Sequence, residues 1–219
     1  MITLGLNAYH GDGAAALLKD GKVVALVEEE RFRRVKHWAG FPEQALRSCL
    51  AMADLPASAV DHVAISRNPR ANLARKALFA IRSRPSVRLV RDRVRNRGRV
   101  SHVAETTAAV MGVSPEWLRP RTHWVEHHPA HLASAFFVSP FEEAAVCAID
   151  GFGDFVSTSM AVGRGRRLDV LRRVHFPHSI GLLYLAITQY LGFPGTGTSS
   201  RSWASPPTGS PTTSPSCAG

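Results

Sequence analysis

The chain is short of cysteine. Cys49, Cys147 and Cys217 are three in 219 residues, and no two share a spacing typical of metal knots or redox dithiols. A disulfide framework is excluded, and a reducing, cytoplasmic setting is expected. Long apolar runs are missing too: none approaches the roughly twenty residues that a membrane-spanning helix needs. The opening "MITLGLNAYHGDG" has neither a basic region nor a long apolar core, so no secretory signal is expected. Acid is nearly absent from one stretch. Between Arg67 and Arg99 a single carboxylate, Asp92, stands against eleven arginines and Lys76. That stretch nets +11 while the whole chain nets +10, so the remainder nets −1. The basicity is local, which weakens a general nucleic-acid reading. Within the stretch Leu73, Ala77, Leu78 and Ile81 recur near helical spacing, and Val87, Val90 and Val94 do so beyond Pro85. Two amphipathic helices with solvated arginine faces are expected. An arginine gripping a phosphate on a small substrate is the alternative.

What is present is an ordinary globular composition, 45% hydrophobic, enough for one sizeable domain or two small ones. "ITLGLNAY" reads as a buried strand, "HGDG" as a turn, "AAALLKD" as a second strand, "GK" as a tight turn and "VVALVEEER" as a third strand. "PEQALRSCLAMADL" carries Ala45, Leu46, Cys49, Leu50 and Ala53 on one helical face, with Pro42 and Glu43 suited to its first turn. "VDHVAIS" returns as a strand. A mixed α/β sheet follows from this order.

The pattern then repeats. "EAAVCAIDGFGDFVSTSMAVGRGRRLDVLRRV" gives strand, Gly-rich acidic turn, strand, turn and strand, displaced by 143 to 145 residues from the first unit. Duplicated units of this kind build the actin-like and sugar-kinase-like ATPase fold, where the first turn of each unit meets phosphates. Glycine there lets backbone amides approach an anion, and aspartate can hold a metal or water. Two ordinary hairpins would give the same letters.

"HWVEHHPAHLASAFFVSP" holds His123, His127, His128 and His131. Proline is welcome in a first turn and unwelcome within a helix, so a helix is expected to begin at Pro129, with His128 near its N-cap. A spacing of four still lets His127 and His131 converge. Asp150, at the C-terminal end of the apolar strand "AAVCAI", is the natural third ligand. Two imidazoles and a carboxylate suit non-haem iron, and imidazole alone suits zinc, copper or nickel as well. Helix-end and surface histidines are the competing explanation.

Three motifs taken together resemble the O-carbamoyltransferase family of nodulation and antibiotic-tailoring enzymes: "GLNAYHGDGAAALLKDGKVVALVEEERFRRVKH", "HHPAHLASAFFVSPFEEAAVCAIDGFGD" and "HSIGLLYLAITQYLGF". They occur in family order over residues 1 to about 194. The resemblance implies an α/β, actin-like ATPase (ribonuclease H-like) fold, similar to the tRNA threonylcarbamoylation ATPase. It implies carbamoyl phosphate and ATP, with Mg2+, as substrates that form a carbamoyl adenylate. The carbamoyl group then passes to a hydroxyl of a sugar or natural-product acceptor. His10 is implied as the base that takes the hydroxyl proton, a role an imidazole titrating near neutrality suits. Asn7, Asp12 and Lys36 are implied around the acceptor, Gly151 and Gly153 at the cofactor, and His127, His131 and Asp150 around iron. "HSIGLLYLAITQYLGF" is expected to be a helix capped by Ser179, its Leu and Tyr spacing serving core packing.

The expected organisation is a first subdomain over 1–139 with a helical, Arg-rich insertion at 67–120, an incomplete second subdomain over 140–194, and an aberrant tail over 195–219. Twenty of the tail's 25 residues are Gly, Ser, Thr or Pro. Read one frame over with suitable GC-rich codons, its beginning can encode "DGDEFKVMGLASYGEP", which the family carries at this point. A frameshift is therefore expected near Gly195. On that expectation the family's fourth metal ligand, most of its ATP site and its carbamoyl-phosphate-handling part are absent, and the 219-residue chain is inactive. Two other readings compete: an actin-like ATP- and metal-binding protein of the tRNA-modification type, and a non-catalytic metal-binding fragment.

Overall fold

The computed structural model describes residues 1–83 and 102–193. Alternation builds its first sheet. In β1 (Ile2–Asn7) Leu4 and Leu6 point into the core, in β2 (Ala14–Lys19) Ala15 and Leu17 do so, and β3 (Lys22–Glu28) adds Ala25. β4 (His62–Ile65) contributes Val63 and Ile65, and β5 (Thr122–Trp124) closes the far edge. The strand order is β3-β2-β1-β4-β5. β2 runs antiparallel to both its neighbours, whereas β1, β4 and β5 run parallel. This order and these directions are those of the ribonuclease H-like unit of actin-like proteins, as expected. The β2–β3 turn falls on Asp20 and Gly21, both at positive φ (52° and 79°), one residue before the expected "GK". Two consecutive positive φ values match the right-handed twist of a hairpin, and glycine takes one of them without strain.

A one-turn helix α1 (Glu30–Arg33) stands where the third strand was expected to continue. The cause is Glu29, which is fully buried. Its Oε2 accepts the Ala45 N–H at 2.8 Å, and its Oε1 accepts Arg33 Nε at 3.0 Å. Helix α2 (Glu43–Met52) has no side-chain cap of its own, so Glu29 supplies one from the sheet and satisfies an otherwise orphaned amide. Ala45, Leu46, Cys49 and Leu50 are buried beneath α2, the face read from the sequence. Each leucine so buried contributes roughly 1.5–3 kcal/mol.

Helix α3 (Leu73–Ser83) matches the first expected arginine helix and buries no residue. The second arginine helix and the tail lie outside the described residues. Helix α4 (Val103–Met111) and the single turn α5 (Pro115–Leu118) place Val103, Ala108, Met111 and Leu118 in the first core.

The second unit is a meander, β6 (Glu143–Gly153), β7 (Val156–Arg164) and β8 (Arg167–His175), antiparallel in that order. Its β7–β8 link is the two-residue turn Gly165–Arg166, with Gly165 at φ 55°. β1, β2 and β3 thus recur as β6, β7 and β8. Helix α6 (His127–Phe136) lies on this sheet, with Leu132 and Phe136 packed among Val146, Ala148 and Ala161. Helix α7 (Ile180–Tyr190) follows, and Ser179 caps it by accepting the Leu182 N–H. Its expected core role is not met. Leu183, Tyr184, Ile187 and Tyr190 are exposed. The apolar spacing is helical, but among the described residues no second layer covers it.

Candidate metal centre

Helix α6 starts two residues earlier than expected, at His127, and Pro129 is its third residue. The first four N–H groups of a helix have no intrahelical partner, so a proline costs nothing there. Placing His127 and His131 in one continuous helix sets them one turn apart on a single face. Their Nε2 atoms lie 3.0 Å apart. Asp150 arrives from the other side on β6, with Oδ2 2.8 Å from His127 Nε2 and 4.0 Å from His131 Nε2. One ligand atom from each of the three lies within 4.8 Å of the others. Three donors thus point at one small volume, two nitrogen and one oxygen, a donor set that suits a divalent transition metal.

The charges suit that role. The His127 hydrogen bond, helped by the Gly151 N–H, holds the Asp150 carboxyl well below the usual carboxylate range against its partial burial. It is therefore an anion at neutral pH. Burial first, and His127 second, push the His131 imidazole below its ordinary value, which leaves it neutral with a lone pair to give. His128 takes no part in the cluster. It is 1% exposed, and burial keeps it neutral too.

The support behind these side chains is tertiary. Asp154, buried and at φ 49°, accepts the His127 N–H at 3.0 Å and the Asn68 N–H at 2.9 Å through the same Oδ2. Its carbonyl accepts Asn72 Nδ2 at 2.9 Å. Asp154 therefore caps α6 from the β6–β7 hairpin and ties both to the entry of α3. Ser179 Oγ reaches the carbonyls of Asp150 (3.1 Å) and Gly151 (2.6 Å), fixing α7 to the ligand-bearing strand. A Cβ at Gly181 would sit 2.5 Å from the Asp150 carbonyl. None of these three was singled out for such a role from the sequence, although Ser179 was expected as a cap. "DGFGD" does show the second acid.

His10 lies in the β1–β2 turn, and its ring centroid is 5.0 Å from that of His127. The fold thus brings His10 to His127 across more than a hundred residues of sequence. Burial, then His127, then Arg67 hold the His10 imidazole below its ordinary value. Arg67 also donates to the Tyr9 carbonyl at 3.1 Å. Asn7 shapes the turn: its Nδ2 donates to the carbonyls of Gly11 (3.0 Å) and Asp12 (2.9 Å). Asp12 lies at φ 60°, and its Oδ1 meets His37 Nδ1 at 2.9 Å. Lys36 is exposed on the segment after α1. Gly153 packs on His127, since a Cβ there would fall 1.9 Å from His127 Cδ2. At Gly151 the nearest such contact is Leu182 at 3.9 Å, and its N–H donates to Asp150 Oδ1 at 2.6 Å. No helix among the described residues is long and apolar enough to cross a membrane.

Among solved structures, YeaZ from Pseudomonas aeruginosa aligns with a TM-score of 0.41 and 17% identity, over 80% of this chain and 67% of its own. The protein sll1178 of Synechocystis is 40% identical over 195 residues, which is 87% of this chain and 32% of that protein. Nodulation protein NolNO of Sinorhizobium fredii is 36% identical over 188 residues, 85% of this chain and 26% of that one. The chain therefore spans about a third or less of the length of these relatives. A family model described as the carbamoyltransferase N-terminus matches residues 2–214, running past residue 194, where the motif resemblance ended. With the match covering nearly its entire length, the chain belongs to the carbamoyltransferase family.

Proposed function

We propose that this chain is the acceptor- and metal-binding part of an O-carbamoyltransferase, with carbamoyl phosphate and ATP as the source of a carbamoyl adenylate. The observation that supports it best is the approach of His10 to His127, His131 and Asp150. A neutral imidazole at the rim of a cluster of metal donors is what an alcohol nucleophile requires.

His127 Nε2, His131 Nε2 and Asp150 Oδ2 would hold the metal, iron by the family resemblance. A bound divalent metal supplies Lewis-acid polarisation of an oxygen on the reacting group. His10 takes the proton as the acceptor hydroxyl oxygen attacks the carbamoyl carbon. The bond from that carbon to the adenylate oxygen breaks, and AMP leaves with the electron pair. The bonds from Asn7 to Gly11 and Asp12 hold the turn that carries His10, so that the base does not have to be ordered at the moment of reaction. Asp12 and the exposed Lys36 offer polar and cationic contacts for a hydroxylated acceptor. Gly151 and Gly153 lie in the hairpin where the actin-like fold meets nucleotide phosphates.

Iron content tests the site directly. The chain purified anaerobically with iron(II) is expected to hold about one equivalent, and His127→Ala and His131→Ala are expected to lose it. Equal iron in all three proteins would end this reading. His10→Ala is expected to keep the metal, which separates the base from the ligands.

A further inference from the structure

A groove of about 470 Å3 lies between α3 and the end of β8, and it shares no residue with the metal cluster. From α3 it takes Arg75, Leu78, Phe79 and Arg82. These are spaced i, i+3, i+4 and i+7, a single helix face. Across from them stand Arg172, Arg173 and His175 at the end of β8. Among the described residues no carboxylate lines the groove. Among the described residues Arg173 has one partner, Glu126 at 3.0 Å, and no carboxylate lies within ion-pair distance of Arg75, Arg82 or Arg172.

A helix face turned toward a sheet is ordinarily apolar. Here arginines bracket the face, and arginines also line the opposite wall. Like charges held across a groove repel, and an anion between them reverses the sign of that interaction. The same field appears at His175, whose imidazole is pushed below its ordinary value by burial, then by Arg75 and Arg173. The floor is aromatic and fixed. Phe79 meets Phe155 at 5.7 Å and Phe176 at 5.0 Å, and Phe176 meets Phe152 at 4.9 Å. The volume is that of a small-molecule site.

We propose that this groove binds a phosphate monoester with a flat, apolar body. The phosphate lies between the arginines of α3 and those of β8, where guanidinium forks match its oxygens. The body rests on the Phe79–Phe176 floor. The site is independent of the metal centre and of the proposed transfer reaction.

The test is titration of the 219-residue chain with naphthyl phosphate, inorganic phosphate, naphthol and a single-stranded oligonucleotide at low salt. Naphthyl phosphate is expected to bind at least tenfold more tightly than either inorganic phosphate or naphthol. The double variant Arg75→Gln/Arg172→Gln alters two exposed side chains and is expected to weaken it tenfold or more, with circular dichroism unchanged. Arg166→Gln, in the β7–β8 turn, and His127→Ala are expected to leave it as it is. Binding that survives the double variant overturns the proposal, as does naphthyl phosphate binding no tighter than inorganic phosphate. Tight oligonucleotide binding without naphthyl phosphate binding overturns it in favour of a nucleic-acid surface.

Discussion

Replacing Gly153 by alanine tests the metal-centre geometry without touching a donor atom. The added Cβ would lie 1.9 Å from His127 Cδ2, 2.1 Å from Cγ and 2.7 Å from Cβ. The closest of these falls about 1.5 Å short of the 3.4 Å at which ordinary contact begins. The ring cannot turn aside freely, because Nε2 is held by Asp150 and His131 and the His127 N–H by Asp154. A movement of that size exceeds the roughly 0.2 Å tolerance of metal–ligand distances several-fold. Overpacking of this kind costs about 1–3 kcal/mol. At roughly 2–4 °C per kcal/mol for a chain of this size, the melting point should fall by about 2–12 °C. Metal affinity should fall more than tenfold. Gly151→Ala is the control, since its Cβ would meet Leu182 at an ordinary 3.9 Å, and it should leave both quantities near their starting values. Thermal denaturation and titration with iron(II) measure the two effects. Wild-type metal affinity in Gly153→Ala, or equal damage from Gly151→Ala, would refute the reasoning.

Other perturbations follow from the same contacts. Glu29→Ala removes the cap of α2 and the partner of Arg33 from a fully buried position. It should cost about 2–4 kcal/mol in urea denaturation, whereas Glu29→Gln keeps an acceptor for the Ala45 N–H and should cost less. Asp154→Ala should lower metal affinity by freeing the His127 amide. Asp154→Asn retains a carbonyl oxygen there and should lower it less, and equal effects would mean that the charge rather than the hydrogen bond matters. Iron(II) at a hundred times its dissociation constant should stabilise the fold by about 2.7 kcal/mol, read as a shift in the denaturation midpoint. That shift should vanish in His131→Ala, where a donor is missing but the residue is too exposed to matter for packing.

The parts of this molecule that could be read from the sequence are those in which short-range spacing carries the information. Short apolar segments bounded by turn residues placed β1, β2 and β4, and helical spacing placed α2 with its buried face. The four-residue interval of His127 and His131 marked two imidazoles that converge, because one turn of helix is a local fact. Asp150 could be added because an acid at the end of an apolar strand has a predictable position in an α/β sheet. What the sequence concealed is held by contacts between distant segments. Glu29 reads as one of three consecutive acids in a charge cluster, and only the fold shows that it alone is buried and caps a helix fourteen residues on. Gly153 reads as a phosphate-hairpin glycine, yet its hydrogen atom is what makes room for His127. Asp154 looks like a second acid in a turn and serves as the cap of a helix that lies before it in the chain. Pro129 misplaced the start of α6 because proline is compatible with any position in a first turn, so its presence bounds a helix start without fixing it. α7 misled in the opposite way: its spacing is helical and its residues are apolar, but spacing says which residues share a face and nothing about what lies against it. The convergence of His127, His131 and Asp150 was therefore legible, and the residues that hold the three together were not. Those residues act through burial, and burial is a property of the folded pair rather than of either segment.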